Sequence, residues 1–269
     1  MLRLTTIPLR SAVPVEADAV TPDRLADLPK EVIEQIPLLH GNQTVPLGKV
    51  FRVAGLAFEK HVEILGDCSL IKNLGRGMTT GTLDIYSDVG MHAGAEMRGG
   101  TLLIHGDAGD WLGANMRGGS IHVHGGAGNC VGAAYRGDVK GMRGGFIRID
   151  GDAGHEVGTR MRRGLIVVGG RCGDFAGADM IAGSLFAFGG VGGKAGAGMK
   201  RGTIFSGRPA DLPSTFAPDC DYQPAFLRLY LRHLRDQGVA GGDEFALGAV
   251  RRYRGDRLAD GQGEILIPA

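Results

Sequence analysis

Three sets of residues in this chain have types and spacing that invite chemistry. The first is the series Tyr86, His105, His124 and Asp150. Two imidazoles and a carboxylate about 5 Å apart are able to hold zinc or relay protons. His122 stands two places before His124 on the same segment, and no fourth ligand is evident. A solvated polar face or a contact between subunits is therefore the preferred reading, and no metal is expected. The second set is basic: Arg98, Arg117, Arg143, Arg162 and Lys200, with Arg163 and Arg201 one step further on. Like charges at such spacing repel unless an anion offsets them. Glu96 and Asp179 are expected internal partners, and the sharper alternative is a track for a polyanion or an acidic partner face. The third set is sulfur. Seven periodic methionines suggest a soft-metal column, but packing explains them better. Cys68 and Cys172 fall at buried turn positions and read as small apolar residues.

All three sets are placed by one repeat. Met78, Met97, Met116, Met142, Met161, Met180 and Met199 are separated by 19, 19, 26, 19, 19 and 19 residues. Each has a glycine three residues later, and all but Met142 have one three residues before. A G-x-x-M-x-x-G unit at fixed period means a supersecondary unit stacked on itself. After each trailing glycine comes an alternating segment, such as Thr82–Tyr86, Thr101–His105 and Ser120–His124. Its second and fourth places are apolar except at Ser206, the pattern of a strand with one buried face. A glycine-rich turn follows (Gly106-Asp107-Ala108-Gly109 is one), its third residue facing inward. Then comes a short second strand contributing Ala93, Leu112, Val131, Val157, Ala176 or Ala195.

The unit is too small to bury its own face and too rich in glycine for a helix. A propeller blade needs about 40 residues. The expected fold is all-β: a right-handed parallel β-helix of about seven to eight coils, the earliest near His61–Leu74. In the 26-residue step, Tyr135 is expected to take the methionine place, and residues 136–141 to bulge outward. Arg136, Asp138 and Lys140 of that loop are candidate partner contacts.

The ends lack the period. The expected division is 1–60 as an N-terminal cap with entry strands, 61–207 as the β-helix, and 208–269 as a C-terminal cap. Leu2–Ile7 reads as a strand, Thr21–Ile36 as helical, and the segment from His40 to Val53 as a turn and strand. Tyr222–Asp236 reads as an amphipathic helix with Phe226, Leu227, Tyr230, Leu231 and Leu234 on one stripe, ended by Gly238. Gly263–Ile267 reads as a last strand.

Composition narrows the function class. The 269 residues include 48 glycines, well above the usual share of about 7%. Their period argues against disorder. A net charge of +1 gives no support for nucleic acid or an anionic membrane as partner. Four cysteines without a C-x-x-C fit reduced thiols in the cytoplasm. No signal peptide is recognised, and no apolar run reaches the ~18 residues of a membrane span. No nucleophile with its base, phosphate loop or dinucleotide fingerprint is present, because the G-x-G runs precede strands and corners rather than helices.

The G-x-x-M-x-x-G rungs and GDAG turns are similar to the β-helix of the glutamate synthase C-terminal domain. With the His40-Gly41-Asn42 entry and the Asp211–Tyr230 segment, nearly the whole chain resembles the C subunit of formylmethanofuran dehydrogenase. That resemblance implies a non-catalytic scaffold in one of two complexes. One is a molybdenum or tungsten dehydrogenase with iron–sulfur subunits. The other is the bacterial formyltransferase/hydrolase complex, which moves a formyl group from tetrahydromethanopterin to a methanofuran-type carrier and hydrolyses it to formate. Arginine-rich, lysine-poor composition favours the bacterial complex. The implied partners are an amidohydrolase-like subunit that holds the metal, a formyltransferase subunit and a further dehydrogenase-like subunit. No cofactor and no catalytic residue are assigned to this chain. The resemblance also implies a carrier with an acidic, glutamate-containing tail, for which the basic series is an expected contact. A free glutamate synthase-like domain and a self-sufficient β-helix enzyme are the alternatives. The latter would need paired carboxylates or calcium-binding acids along one face, where this chain is basic and apolar.

Overall fold

The structure is a computed structural model, described for residues 1–9, 11–56, 59–239 and 248–269. It is mostly β. The strands are β1 (Leu2–Thr6), β2 (Val15–Glu16), β3 (Pro37–His40), β4 (Gln43–Pro46), β5 (Phe51–Gly55), β6 (His61–Leu65) and β7 (Ile71–Lys72). The repeats supply β8 (Thr82–Ile85), β9 (Thr101–Ile104), β10 (Ser120–Val123), β11 (Arg143–Ile149), β12 (Arg163–Val168), β13 (Ser184–Ala187) and β14 (Arg201–Ser206). The C-terminal part adds β15 (Ala217–Tyr222), β16 (Val250–Gly255) and β17 (Gln262–Pro268).

Thirteen strands form one mixed sheet in the order β15-β16-β17-β14-β13-β12-β11-β10-β9-β8-β6-β1-β5. Its middle is parallel from β1 to β17, and the antiparallel pairs lie at its edges. The repeats pair in the register their alternation requires: Leu83, Leu102, Ile121, Ile147, Ile166, Leu185 and Ile204 stand side by side. Ile265 of β17 continues that row. The last strand is thus a further rung of the ladder, although its sequence lacks the period. β1 does the same at the other end, pairing parallel to β6.

A second column of parallel bridges runs through Cys68, Val89, Ala108, Ala127, Ala153, Cys172 and Val191. These are the inward third residues of the turns. The short second strand expected after them is not formed. Its inward residues are buried as expected, but they sit in turns whose corners have positive φ. Asn73, His92, Trp111, Cys130, Glu156, Phe175 and Lys194 occupy one such corner, with φ between 59° and 66°. A strand cannot contain that conformation.

The methionines are fully buried and lie in the main core cluster. With positive φ and close backbone, they account for the trailing glycines. A Cβ on Gly119 would meet Met97 Cε at 2.8 Å, one on Gly164 would meet Met142 Cε at 2.8 Å, and one on Gly183 would meet Met161 Cε at 3.0 Å. Each methionine methyl therefore fills the space a side chain would occupy at the trailing glycine of the next repeat. Gly263 continues the series, with Met199 Cε at 2.6 Å from its would-be Cβ.

Met142, not Tyr135, takes the methionine place at the insertion. Its amide donates to Gly132 O at 2.9 Å, as Met116 N donates to Gly113 O at 3.1 Å. Tyr135 turns outward onto His92 and Trp111. The expected helical stretch over Thr21–Ile36 is two short helices, α1 (Pro22–Leu25) and α2 (Lys30–Glu34), interrupted ahead of Pro29. Proline restricts the residue before it to extended backbone.

Helix α3 (Ala225–Asp236) buries Leu227, Leu231 and Leu234 against Val167, Phe186, Phe205 and Leu266 on the outer face of β12, β13, β14 and β17. Tyr230 packs at its edge, and Phe226 is more exposed than the stripe predicts. No helix among the described residues is long and apolar enough to cross a membrane.

Candidate functional site

The outer face of the long sheet is divided. Where α3 covers it, the third places of the strands are apolar. Beyond the end of α3 they become Arg148, His122, Leu103 and Asp84, and a polar cluster fills that half around Leu103. Asp150 lies at its centre. His122 Nε2 is 2.9 Å and His124 Nδ1 is 3.2 Å from the same oxygen, Asp150 Oδ2. Arg148 Nε donates to the other oxygen, Oδ1, at 2.6 Å. Its remaining nitrogens donate to Gln237 O at 2.6 Å and Gly238 O at 2.9 Å, where α3 ends. Gly238 has φ +72°, a helix-ending conformation that turns those carbonyls outward.

His105 stands apart from Asp150. Its Nε2 is 2.8 Å from Asp84 Oδ1, and Tyr86 O–H donates to Asp84 Oδ2 at 3.1 Å. The rings nonetheless stack along the column: Tyr86 on His105 at 4.4 Å, and His105 on His124 at 5.1 Å. Position in the sequence column points to His105, His124 and Asp150. The structure instead joins His122, His124 and Asp150. Burial holds the His122 imidazole below its usual pKa, reinforced by Arg148 and opposed by the Asp150 hydrogen bond. Burial works to raise the Asp150 carboxyl, but hydrogen bonds from His122 and Arg148 outweigh it and hold it low.

The basic column is aligned as the repeat requires. The backbone N–H groups of Arg98, Arg117, Arg143, Arg162 and Lys200 each donate to the preceding repeat's methionine carbonyl, at 2.7–2.8 Å. Ile181 holds the same place and interrupts the charge. The expected internal partners do not serve. Glu96 pairs with Arg76 at 3.2 Å, and Asp179 pairs with Arg160 at 3.5 Å. Both acids sit on positive-φ corners one residue before their methionines, which aims them away from the following arginine. Among the described residues, the five column cations form no ion pair. Among the described residues, Arg143 Nε is buried without a hydrogen-bond partner. Arg162, Arg163, Lys200 and Arg201 line a cleft of about 490 Å³ with Ser184 and Tyr230.

In the inserted loop, Arg136 and Asp138 are exposed and Lys140 half-buried. The loop is anchored: Asn115 donates its amide to Asp138 Oδ2, and Arg160 donates to Asp138 O at 3.0 Å. Its tip, Val139, is 74% exposed. Beside it His92, Trp111 and Tyr135 form an aromatic group, with His92 Nδ1 3.0 Å from Tyr135 Oη. The sequence carries a signal for this group: the residue five before each methionine except Met142 is the positive-φ corner, and His92 and Trp111 are successive corners.

Comparison with known proteins places this architecture. No protein-family model matches the chain. It is 40% identical over 83 residues to the C subunit of molybdenum-containing formylmethanofuran dehydrogenase 1 from Methanothermobacter marburgensis, covering 30% of this chain and 21% of that protein. It is 37% identical over 87 residues to the C subunit of tungsten-containing formylmethanofuran dehydrogenase 2 from Methanothermobacter thermautotrophicus, covering 31% of this chain and 32% of that protein. The matched segments thus span between a fifth and a third of these relatives' length. A chain in the crystal structure of the formyltransferase/hydrolase complex FhcABCD from Methylorubrum extorquens, determined with methylofuran, matches over 99% of both chains at 31% identity and TM-score 0.91. This chain belongs to the family of formylmethanofuran dehydrogenase C subunits. The fold described above is shared with that solved chain over 99% of both lengths.

Proposed function

We propose that this chain is a non-catalytic scaffold subunit of a formyltransferase/hydrolase complex. The complex would transfer a formyl group from tetrahydromethanopterin to a methanofuran-type carrier and release formate. The observation that supports it best is the end-to-end match to a chain of such a complex. The molybdenum and tungsten dehydrogenase names of the curated relatives favour a second reading, the same role in a redox complex. Amidohydrolase-like, formyltransferase and dehydrogenase-like partner subunits, a catalytic metal outside this chain, and a cytoplasmic location belong to the first reading. The ladder is inferred to wind as a right-handed coil, the hand that parallel crossovers adopt in about 98% of cases. The basic column from Arg98 to Lys200 and the loop bearing Arg136, Asp138 and Lys140 are its proposed contacts with an acidic partner face or the carrier. Cations that form no ion pair among the described residues and stack one rung apart, except across Ile181, support this, since their repulsion is relieved by an anion.

Native purification tests the reading. Co-purifying amidohydrolase-like and formyltransferase subunits without molybdenum or tungsten would support the hydrolase complex. Either metal with iron–sulfur would support the dehydrogenase, and a stable lone chain would overturn both. For the column, Arg117→Gln with Arg143→Gln should flatten the salt dependence of assembly. An unchanged dependence would remove it from the interface.

A further inference from the structure

We propose that His122, His124 and Asp150 form a binding site for a divalent transition-metal cation of the zinc class. One ligand atom from each lies within 4.8 Å of the other two. The two imidazole nitrogens already converge on one carboxylate oxygen, at 2.9 and 3.2 Å. Nitrogens and an oxygen bound at about 2.0–2.2 Å around a tetrahedral ion stand at similar mutual distances. Little rearrangement is needed beyond inserting the ion among them.

The strand geometry explains the convergence. His122 and His124 alternate by two on β10 and its continuation, so both rings emerge on the outer face. Asp150 follows β11, the adjacent rung. The surroundings orient the carboxylate. Arg148 occupies Asp150 Oδ1 and leaves Oδ2 to the cation, the kind of outer contact that fixes a ligating carboxylate. His105 stacks beside His124 but gives its Nε2 to Asp84, so it stands outside the ligand set. Two imidazoles and one carboxylate suit zinc, cobalt or nickel better than magnesium or calcium, which prefer all-oxygen sites. Three protein ligands leave a fourth position open to water, and the His124 side chain, 46% exposed, gives access to it.

The test uses the protein with its co-purifying partners, stripped with chelator and titrated with Co²⁺. Native protein should develop a saturable visible band from a tetrahedral nitrogen–oxygen site, which Zn²⁺ abolishes. His124→Gln and Asp150→Asn should each weaken that binding about tenfold or more, since even outer-contact losses cost 10–100-fold. His105→Gln should leave it unchanged. Circular dichroism and gel filtration of each variant guard against misfolding, and His124→Gln alters an exposed side chain. If the native titration shows no such band, or the His124→Gln and Asp150→Asn proteins titrate like the native one, the site is refuted. Loss of binding in His105→Gln would overturn this ligand set.

Discussion

Replacing Gly183 with alanine tests the interlock between methionine and glycine. The new Cβ would lie 3.0 Å from Met161 Cε and 3.3 Å from its Sδ, with the nearest backbone atom, Gly164 O, also at 3.3 Å. The methionine is thus the main obstruction. Backbone strain adds to it, because φ is +107° there, a region costing of order 1–3 kcal/mol for a residue with a side chain. Overpacking adds about 1–3 kcal/mol, so Gly183→Ala should destabilise by about 2–6 kcal/mol. Met161→Ala empties a fully buried site and should cost about 2–5 kcal/mol. In the double variant the methyl is gone, so the overpacking vanishes while the backbone strain stays. The pair should therefore be less destabilised than the sum of the singles by about 1–3 kcal/mol. Urea unfolding followed by circular dichroism measures this, with the slope checked for loss of all-or-none unfolding. Gly183→Ala combined with Met116→Ala, three rungs away, should be additive. If the Met161 pair is also additive within about 0.5 kcal/mol, the interlock does not exist.

Three further outcomes are expected. Native protein treated with a thiol reagent at pH 8 should be modified at exposed Cys220, while Cys68 and Cys172, buried and pushed up to about 11 and about 12, react only after unfolding; mass spectrometry of labelled peptides decides. His92 is held below its usual value of 6.5 by burial, with Lys72 and Arg76 adding to it. The folded state therefore binds its proton less readily than the unfolded chain, stability falls as pH drops below about 6.5, and His92→Gln should flatten the fall in melting temperature between pH 6.5 and 5. Arg148→Ala releases Asp150 and the carbonyls of Gln237 and Gly238 together, so it should cost about 1.5–3 kcal/mol and speed hydrogen exchange in α3 more than in β8 or β9.

Much of this molecule is written in its period. The strand registers follow from alternation after each glycine, because one buried face leaves only one register. What lies beyond the sequence are relations between repeats. Met161 meets Gly183 across 22 positions, and no window on a single unit shows that pair. Tyr135 mimics a methionine position because Gly132-Ala133-Ala134 copies the local motif, but the backbone closes on Met142 instead. Column position favours His105 over His122 because it says nothing about reach: Asp84 draws His105 away, while Arg148 turns Asp150 toward β10. The apolar third places of β12–β14 are legible as apolar, but their cover, α3, comes some twenty residues after the last repeat strand.

The rung-to-rung bonding also sets how this scaffold is able to vary in size. Every repeat bonds to its neighbours by the same set of backbone groups, so the ladder changes length only in whole rungs of about 4.8 Å. Loss of one 19-residue unit shortens the ladder by one step and rejoins like to like. Loss of 18 residues turns every following strand over, core side out. The loop at 135–141 escapes this quantum because it leaves and re-enters between Gly132 and Met142, which bond directly. Surface features are therefore free to grow by any number of residues, while the distance between the two ends of the scaffold is counted in integers.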